Sequence, residues 1–236
     1  MELSQRQTAI FRIVVEGHIS TGEPIGSEWV AGQLQERVSS ATVRAELLEL
    51  ERVGLLRQPH TSAGRVPTEE GYRVYIELFV QKNAPASDDH VFDQDYLVDE
   101  SHTPEEKVRR IARELSDVAG NIVMVGANPR SLYAVGMGQM FSAPEASNLS
   151  VMRHISEALD GADDLMDELY EIAAGGEVKI LIGKQNPIDE NLSLMVTKYE
   201  TSEGERLMVL LGFMRMRYER NIALMQAMKR FLESEL

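Results

Sequence analysis

The chain has 236 residues, of which 43% are hydrophobic and 26% charged, with no cysteine and a formal net charge of −14. This composition is ordinary for a globular protein in water, and the missing cysteines exclude disulfides, thiolate metal sites and cysteine nucleophiles. The apolar runs are too short to span a bilayer and the first residues lack a secretory signal, so a cytoplasmic protein without membrane contact is expected.

The negative charge is unevenly distributed along the chain. Residues 1–80 hold eight arginines against eleven acidic residues, a net of −3, which leaves −11 for the remaining residues. Five of those arginines fall between Arg44 and Arg73. Because a local basic face can bind phosphates even on an acidic protein, the total charge does not exclude DNA as a partner.

Two helices are predicted at the beginning of the chain. Ser4 and Gln7 form a capping-box pattern before apolar residues at helical spacing, so the first helix should run to about Ile19. The sequence STGEP then interrupts the helical pattern. A second helix is expected from a cap at Ser27 to about Leu34.

A third helix is predicted from a cap at Ser39 or Ser40 to Gly54, which has the position of a helix-ending glycine. Its apolar stripe should consist of Val43, Leu47, Leu48 and Leu50. Two helices joined by a turn, with Ser, Thr and Arg early in the second, are typical of the DNA-reading helix-turn-helix. We therefore predict DNA contacts from Ser39, Ser40, Thr42 and Arg44. The alternative is a three-helix packet with a solvated face.

The segment QPHTSAGRVPTEEGYR, residues 58–73, favours the DNA-binding alternative. Residues 55–58 and 65–67 are predicted to pair as short strands around a polar tip that has no apolar anchor. Such a hairpin beside the third helix is a wing, which lies along the sugar-phosphate backbone, and this placement explains its polar character. The wing residues expected to contact DNA are His60, Thr61, Ser62, Gly64 and Arg65.

The composition changes after a fourth helix, which Thr68 is expected to cap. Residues 83–105 are acidic and show no helical period, so we interpret them as a linker between a DNA-binding domain at residues 1–82 and a second domain at residues 106–236. Beyond the linker, helices are predicted at residues 104–117, 144–159, 163–174 and 218–232. Strands are predicted at residues 121–127, 131–141, 177–183, 192–200 and 206–213. This mixture indicates an α+β or α/β domain.

Several of these segments resemble the heat-inducible transcription repressor family HrcA. In the N-terminal part they are TGEPIGSEWVA (21–31), SSATVRAELLELERVGLL (39–56) and PHTSAGRVPTEEGYRVYI (59–76). The third is the most specific, because a long string with that order of Pro, His, Gly, Arg and Tyr does not arise readily by chance. The C-terminal similarity is looser and lies in YAVGMGQMFSAPEASN (133–148), VKILIGKQNP (178–187) and LLGFMRMRY (210–218).

The resemblance implies an α+β protein in which a winged helix-turn-helix precedes a GAF-like α/β domain. That domain is shortened, because between Val125 and Tyr133 the chain lacks the rest of the family's GAF-like domain and its inserted dimerisation domain. The implied function is repression of heat-shock (chaperone) genes through an inverted-repeat operator that a homodimer binds. The chaperonin GroEL is implied as a further partner. The resemblance implies no catalysis, and we expect no metal or cofactor.

Two other functions remain open. A metabolite-responsive winged-helix regulator would need a pocket with convergent polar groups in residues 120–213, and a filled core would disfavour it. The string SSATVRAELLELERVGLL is also similar to sugar-responsive DeoR-type repressors, although the PHTSAGR wing is not. An enzyme with an attached DNA-binding domain would need catalytic groups, and the sequence shows no nucleophile–base pair and no phosphate-binding loop.

Overall fold

The computed structural model describes residues 3–61, 63–81, 103–128 and 131–235. The chain divides into two compact units, Met1–Asn83 and Ala84–Leu236, here called the N-terminal unit and the C-terminal unit. Most of the predicted linker lies outside the described residues. Both units combine helices with strands, which confirms the predicted α+β class.

Three helices open the N-terminal unit, α1 (Gln5–Thr21), α2 (Ser27–Gln33) and α3 (Ser40–Arg52). The predicted capping box of α1 is present. The Ser4 hydroxyl accepts a bond from the Gln7 amide at 3.2 Å, and the Gln7 side chain accepts one from the Ser4 amide at 3.0 Å. The predicted cap of α2 is wrong by one residue, because Gly26 occupies the cap position and Ser27 is already helical.

The end of α3 is fixed by a left-handed glycine, as the sequence predicts. Gly54 has a φ of 81°. Its amide donates to the Glu51 carbonyl at 2.9 Å, and the next amide, of Leu55, donates to the Leu50 carbonyl at 3.0 Å. This pair of bonds is a Schellman motif, which satisfies the last carbonyls of the helix and turns the chain into the wing.

The wing is a small antiparallel hairpin. Strand β1 (Leu56–Arg57) pairs with β2 (Val66–Pro67), within one residue of each predicted strand. A third participant, which the sequence pattern does not predict, is Ile25 in the loop between α1 and α2. Its backbone exchanges two 2.9 Å hydrogen bonds with Arg65, which ties the wing to the helix-turn-helix.

Helix α4 (Glu69–Tyr75), which continues as the π-helical turn Ile76–Val80, is held against the end of α3 by one side chain. The Thr68 hydroxyl donates to the Gly54 carbonyl at 2.6 Å and accepts from the Gly71 amide at 3.0 Å. A Cβ at Gly71 would lie 2.1 Å from the Leu55 carbonyl oxygen, so only glycine fits there. The wing motif therefore also encodes the junction of α3 and α4.

The C-terminal unit is built on five strands and, within the described residues, five α-helices. They are α5 (Pro104–Ala119), β3 (Ile122–Asn128), β4 (Ser131–Val135), α6 (Met137–Phe141), α7 (Leu149–Asp160), α8 (Ala162–Ile172), β5 (Lys179–Ile182), β6 (Leu192–Thr201), β7 (Gly204–Phe213) and α9 (Tyr218–Glu235). The strands form one antiparallel sheet in the order β4-β3-β7-β6-β5. Where the resemblance places the missing insertion, Val125 pairs with Tyr133 in the β3–β4 hairpin.

Helices cover both faces of this sheet. Helices α7 and α8 pack on one face, where alternate residues of β6 and β7 join an aliphatic and methionine core. Helices α5 and α9 contact each other and the strands β3 and β6, and so cover the other face. Because both faces are covered, most consecutive residues of β6 and β7 are buried, where a strand with one solvated face would alternate between buried and exposed residues. The predicted shortened GAF-like α/β domain is confirmed. No helix in the described ranges is long and apolar enough to cross a bilayer.

Two predicted elements of this unit are wrong in extent. The strand expected over residues 131–141 ends at Val135, because Gly136 adopts a φ of 99° and starts helix α6. The helix expected over residues 144–159 begins with a separate 3-10 turn, Pro144–Ser147. Helix α7 starts only after Asn148, whose side chain caps it by accepting from the Ser150 amide at 3.2 Å.

A buried asparagine joins α5, β3, β7 and α9. The Asn121 side chain accepts a 3.3 Å bond from Asn221, and its carbonyl accepts a 2.8 Å bond from Ser116. Two glycines leave room for it. A Cβ at Gly136 would lie 2.4 Å from the backbone carbonyl oxygen of Asn121, and one at Gly212 would lie 2.1 Å from the side-chain amide nitrogen of Asn121. Both glycines belong to the segments that carry the C-terminal resemblance.

We expect Gly212→Ala to lower the free energy of unfolding by about 1–3 kcal/mol, because the new methyl group must displace a buried, hydrogen-bonded amide. Gly138→Ala is the matched control. That glycine lies in α6 with nothing within 4 Å of the added Cβ, so its replacement should be neutral or slightly stabilising. Urea denaturation followed by circular dichroism measures both, and equal stability of the two variants would contradict the packing argument.

Candidate nucleic-acid interface

Helix α3 has one buried and one exposed face. Val43, Leu47 and Leu50 are buried to at least 96%. The opposite face is an exposed stripe formed by Ala41, Arg44, Ala45 and Leu48. The predicted placement of Leu48 in the apolar stripe is wrong, since 50% of it is exposed. It lies about 100° around the helix from Leu47 and shares its face with Arg44 one turn earlier.

The first turn of α3 is capped by a side chain. Ser39 is the cap, and its hydroxyl accepts from the Thr42 amide at 3.1 Å and lies 2.9 Å from the Thr42 hydroxyl. Ser40 is the first helical residue and is half-buried. The remaining amides of this turn have no acceptor within the helix, which makes the turn a suitable partner for an anion.

The eight arginines of the N-terminal unit differ in whether a carboxylate neutralises them. Five lie within 4.0 Å of a glutamate, namely Arg6, Arg12, Arg52, Arg65 and Arg73. Among the described residues, the other three have no carboxylate partner and are exposed: Arg37, Arg44 and Arg57. Arg37 lies in the turn before α3 and Arg57 lies on β1. Neither is among the predicted DNA-contacting residues, because arginine spacing alone does not show which guanidinium is paired with a carboxylate.

Arg44 is the exposed cation of the stripe. The two glutamates that could neutralise it on the same helix are engaged elsewhere. Glu46 lies 3.9 Å from Arg6, and Glu49 lies 2.9 Å from Arg52. The stripe therefore presents a guanidinium between two alanines, a combination that permits close approach to a polyanion.

The polar tip of the wing is ordered by a glutamine. The Gln58 side-chain amide donates to the carbonyls of Thr61 and Ala63, at 3.1 and 3.0 Å. His60 and Thr61 are exposed at this tip. The predicted contact residue Ser62 lies outside the described residues.

Gly64 and Arg65 fix the wing to the rest of the unit. A Cβ at Gly64 would lie 2.4 Å from the carbonyl carbon and oxygen of Ile25, so the bridge to Ile25 requires glycine. The sequence predicts that the Arg65 guanidinium faces DNA. In the structure it is 2.9 Å from the Glu51 carboxylate, and only 11% of the side chain is exposed. Arg65 thus positions the wing against α3.

An open cleft of about 510 Å³ separates the exposed stripe from the wing. Arg44, Leu47 and Leu48 line it from α3, and Thr61 and Gly64 line it from the wing. The structure therefore brings Arg44 together with three of the predicted wing residues, Thr61, Gly64 and Arg65. Ser39, Ser40 and Thr42 lie at the beginning of α3, and His60 lies at the wing tip.

The C-terminal unit offers a packed core where a ligand-binding alternative needs a pocket. Sixteen buried side chains, mainly aliphatic and methionine, fill the space between the sheet and helices α6 to α8. His154 is 2.6 Å from Asp189 at the edge of this core. Burial opposes ionisation of Asp189, but hydrogen bonds from Asn191 and His154 outweigh it and hold the pKa of that carboxyl below its usual value. In the described part of the chain, no cluster of three or more His, Asp or Glu could hold a metal.

Comparisons with known proteins point to one family. The sequence profile described as "HrcA protein C terminal domain" matches residues 90–222. The heat-inducible transcription repressor HrcA of Desulfitobacterium hafniense is 42% identical over 88 residues, which cover 37% of this chain and 26% of that protein. The repressor of the same name from Xanthomonas euvesicatoria pv. vesicatoria is 32% identical over 206 residues, 87% of this chain and 50% of the relative.

The chain thus spans half or less of the length of these relatives. A crystal structure described as that of a hypothetical protein superimposes with a TM-score of 0.78, covering 99% of this chain and 97% of the other. At 16% sequence identity, this likeness shows that the fold is shared.

We expect Arg65→Ala to lower the free energy of unfolding by about 1–3 kcal/mol, because it leaves the half-buried Glu51 carboxylate without its cation. The control is Arg52→Ala, which breaks an ion pair of similar length between two exposed side chains of α3, Arg52 and Glu49. This change should lower the free energy of unfolding by well under 1 kcal/mol. Thermal unfolding of both variants decides the matter. A fully stable Arg65→Ala protein would show that this ion pair does not hold the wing.

Proposed function

The chain belongs to the HrcA family, and from this premise we propose that it is a DNA-binding transcriptional repressor of heat-shock (chaperone) genes. The observation that carries the proposal is Arg44, exposed and without a carboxylate partner among the described residues, on a stripe that faces a cleft beside the wing. A helix with this face fits the major groove, which is wide enough to admit an α-helix.

Arg44 is the proposed base-reading residue. An arginine can donate two hydrogen bonds to the O6 and N7 atoms of guanine, the most common specific contact between proteins and DNA. Ala41 and Ala45 flank it with short side chains, so the helix backbone can approach the base edges. The first turn of α3, with Ser39, Ser40 and Thr42, is proposed to contact a phosphate through its amides and hydroxyls.

The wing is proposed to bind the sugar-phosphate backbone. His60 and Thr61 are exposed at its tip, and Arg57, which has no carboxylate partner in the described part of the chain, supplies a positive charge on β1. We propose Ser62 as a further contact on sequence grounds alone. Gly64 and Arg65 act indirectly, because they determine where the tip lies relative to α3.

The operator is proposed to be an inverted repeat that two copies of the chain bind. One reading helix and one wing cover half of a two-fold site, so paired half-sites require paired modules. The C-terminal unit is the proposed source of dimerisation, and its filled core supports a regulatory or structural role over a metabolite-binding or catalytic one. A cytoplasmic location and the chaperonin GroEL as a partner are proposed from the resemblance alone.

The proposed function is tested by selecting DNA duplexes from a randomised inverted-repeat library with the full chain. Affinity for the enriched duplex and for a scrambled duplex is then titrated against salt. We expect preference for the enriched duplex, a slope of log K against log salt of several units, and a complex that contains two chains. Failure to enrich any duplex, or equal affinity for both duplexes, would contradict the proposal.

Arg44→Ala should weaken binding to the enriched duplex by about 1–3 kcal/mol and flatten the base preference at one position of each half-site. Thermal stability should not change, because the described residues offer Arg44 no ion pair to lose. Arg52→Ala, at the other end of the same helix, is the matched control and should retain the preference. Unchanged affinity of the Arg44 variant would remove α3 from the interface.

A further inference from the structure

Leu48 is a large apolar side chain on the face of α3 that is proposed to enter the groove. Half of it is exposed, although burial of a leucine is favourable and its neighbour Leu47 is almost fully buried. It lines the cleft beside Arg44. We propose that Leu48 contacts the 5-methyl group of a thymine. This apolar contact distinguishes thymine from cytosine, and it adds to the recognition of guanine by hydrogen bonds from Arg44.

The other large apolar side chain exposed in the described part of the N-terminal unit has a structural role. Trp29 is 43% exposed, but its ring packs on α1, where a Cβ at Gly17 would lie 2.8 Å from it. Leu48 lies instead on the stripe, about one helical turn after Arg44 and Ala45. Half of the Leu48 side chain is therefore open to contact with a partner outside the chain.

The chemistry of the major groove identifies that partner. Each base pair presents hydrogen-bond donors and acceptors there, and the thymine methyl is the apolar group among them. A leucine offers that methyl an apolar surface, whereas it leaves the polar edge of cytosine unsatisfied. The glutamates that flank the stripe on α3 itself, Glu46 and Glu49, are paired with arginines, so this helix presents no free carboxylate beside Leu48. The carboxylate that lines the cleft is the exposed Glu28 of α2, on the side opposite α3.

The spacing between the two residues predicts where the thymine lies. Arg44 and Leu48 are four residues apart, which corresponds to about 6 Å along the helix. Base pairs are stacked at about 3.4 Å. The thymine contacted by Leu48 should therefore lie about two base pairs from the guanine contacted by Arg44.

This inference rests on the proposed function, and the test separates the two. In the duplex enriched by the full chain, each thymine is replaced in turn by uracil, which lacks only the methyl group. We expect about fourfold weaker binding at one position in each half-site, the effect of burying one methyl group. That position should lie about two base pairs from the one where Arg44→Ala flattens the preference.

Leu48→Ala should remove the difference between thymine and uracil at that position and leave the preference read by Arg44 in place. Leu48→Met keeps an apolar side chain of similar volume and should retain most of the difference between thymine and uracil. This variant provides the comparison if Leu48→Ala no longer binds DNA. Leu149→Ala, the same change at an 80% exposed leucine of the C-terminal unit, is the matched control and should retain it fully.

An enriched duplex in which no thymine is sensitive to uracil would overturn the inference and leave the proposed function standing. So would a Leu48→Ala protein that keeps the thymine preference, or one whose only change is the mass of the free protein, which would assign Leu48 to contact between copies. Failure to enrich any duplex would overturn both.

Discussion

The arrangement of the N-terminal unit depends on the two carboxylate oxygens of Glu51. One accepts the backbone amide of Gln58 at 3.2 Å, and the other lies 2.9 Å from the Arg65 guanidinium. Glu51 belongs to α3, while Gln58 and Arg65 stand at the two ends of the wing loop. A single side chain therefore sets the distance between the exposed stripe and the wing, and with it the width of the cleft. The bridge between Ile25 and Arg65 completes this anchor, and Gly64 allows it by leaving space for the Ile25 carbonyl.

In the C-terminal unit, too, polar side chains join distant segments, and glycines leave the space for them. Buried polar groups of Asn121, Asn221 and Ser116 join two helices to the sheet, and Gly136 and Gly212 make room for them. The third segment of the C-terminal resemblance is also tied to the first, because Arg215 donates to the Glu145 carboxylate at 2.6 and 3.2 Å. In both units, the residues that carry the resemblance meet one another in space. Their role there is to fix backbones at short distances.

The sequence predicts most of the elements because their signals are local. The capping box at Ser4, the glycine after α3 and the apolar runs of β6 and β7 each determine structure over a few residues. The incorrect predictions also have local physical reasons. Gly136 divides a predicted strand because its left-handed φ ends the extended backbone, a conformation that an apolar pattern does not reveal. Hydrophobicity alone predicts Leu48 in the core, whereas its angular position on the helix places it on the opposite face.

The candidate site was predictable in location and less so in the roles of its residues. Long-range pairing decides those roles. Arg65 has a partner in Glu51, fourteen residues earlier, and Ile25 joins the wing from a distant loop, and neither contact follows from periodicity. Ion pairing also distinguishes Arg52, which is paired with Glu49, from Arg44 on the same helix, which has no carboxylate partner among the described residues.

The neutralisation of five arginines by glutamates has a consequence for how a DNA-binding protein searches a genome. Attraction to phosphate is independent of sequence, and it holds a basic protein on random DNA. In the described part of the N-terminal unit, three of the eight arginines have no carboxylate partner, and the remaining residues of the chain are strongly acidic. On the proposed function, the residence time on random sites would therefore be short, and the many competing sites of a chromosome would sequester little of the protein. Discrimination would then rest on the few contacts along one face of α3, where each base pair would contribute a larger share of the total affinity.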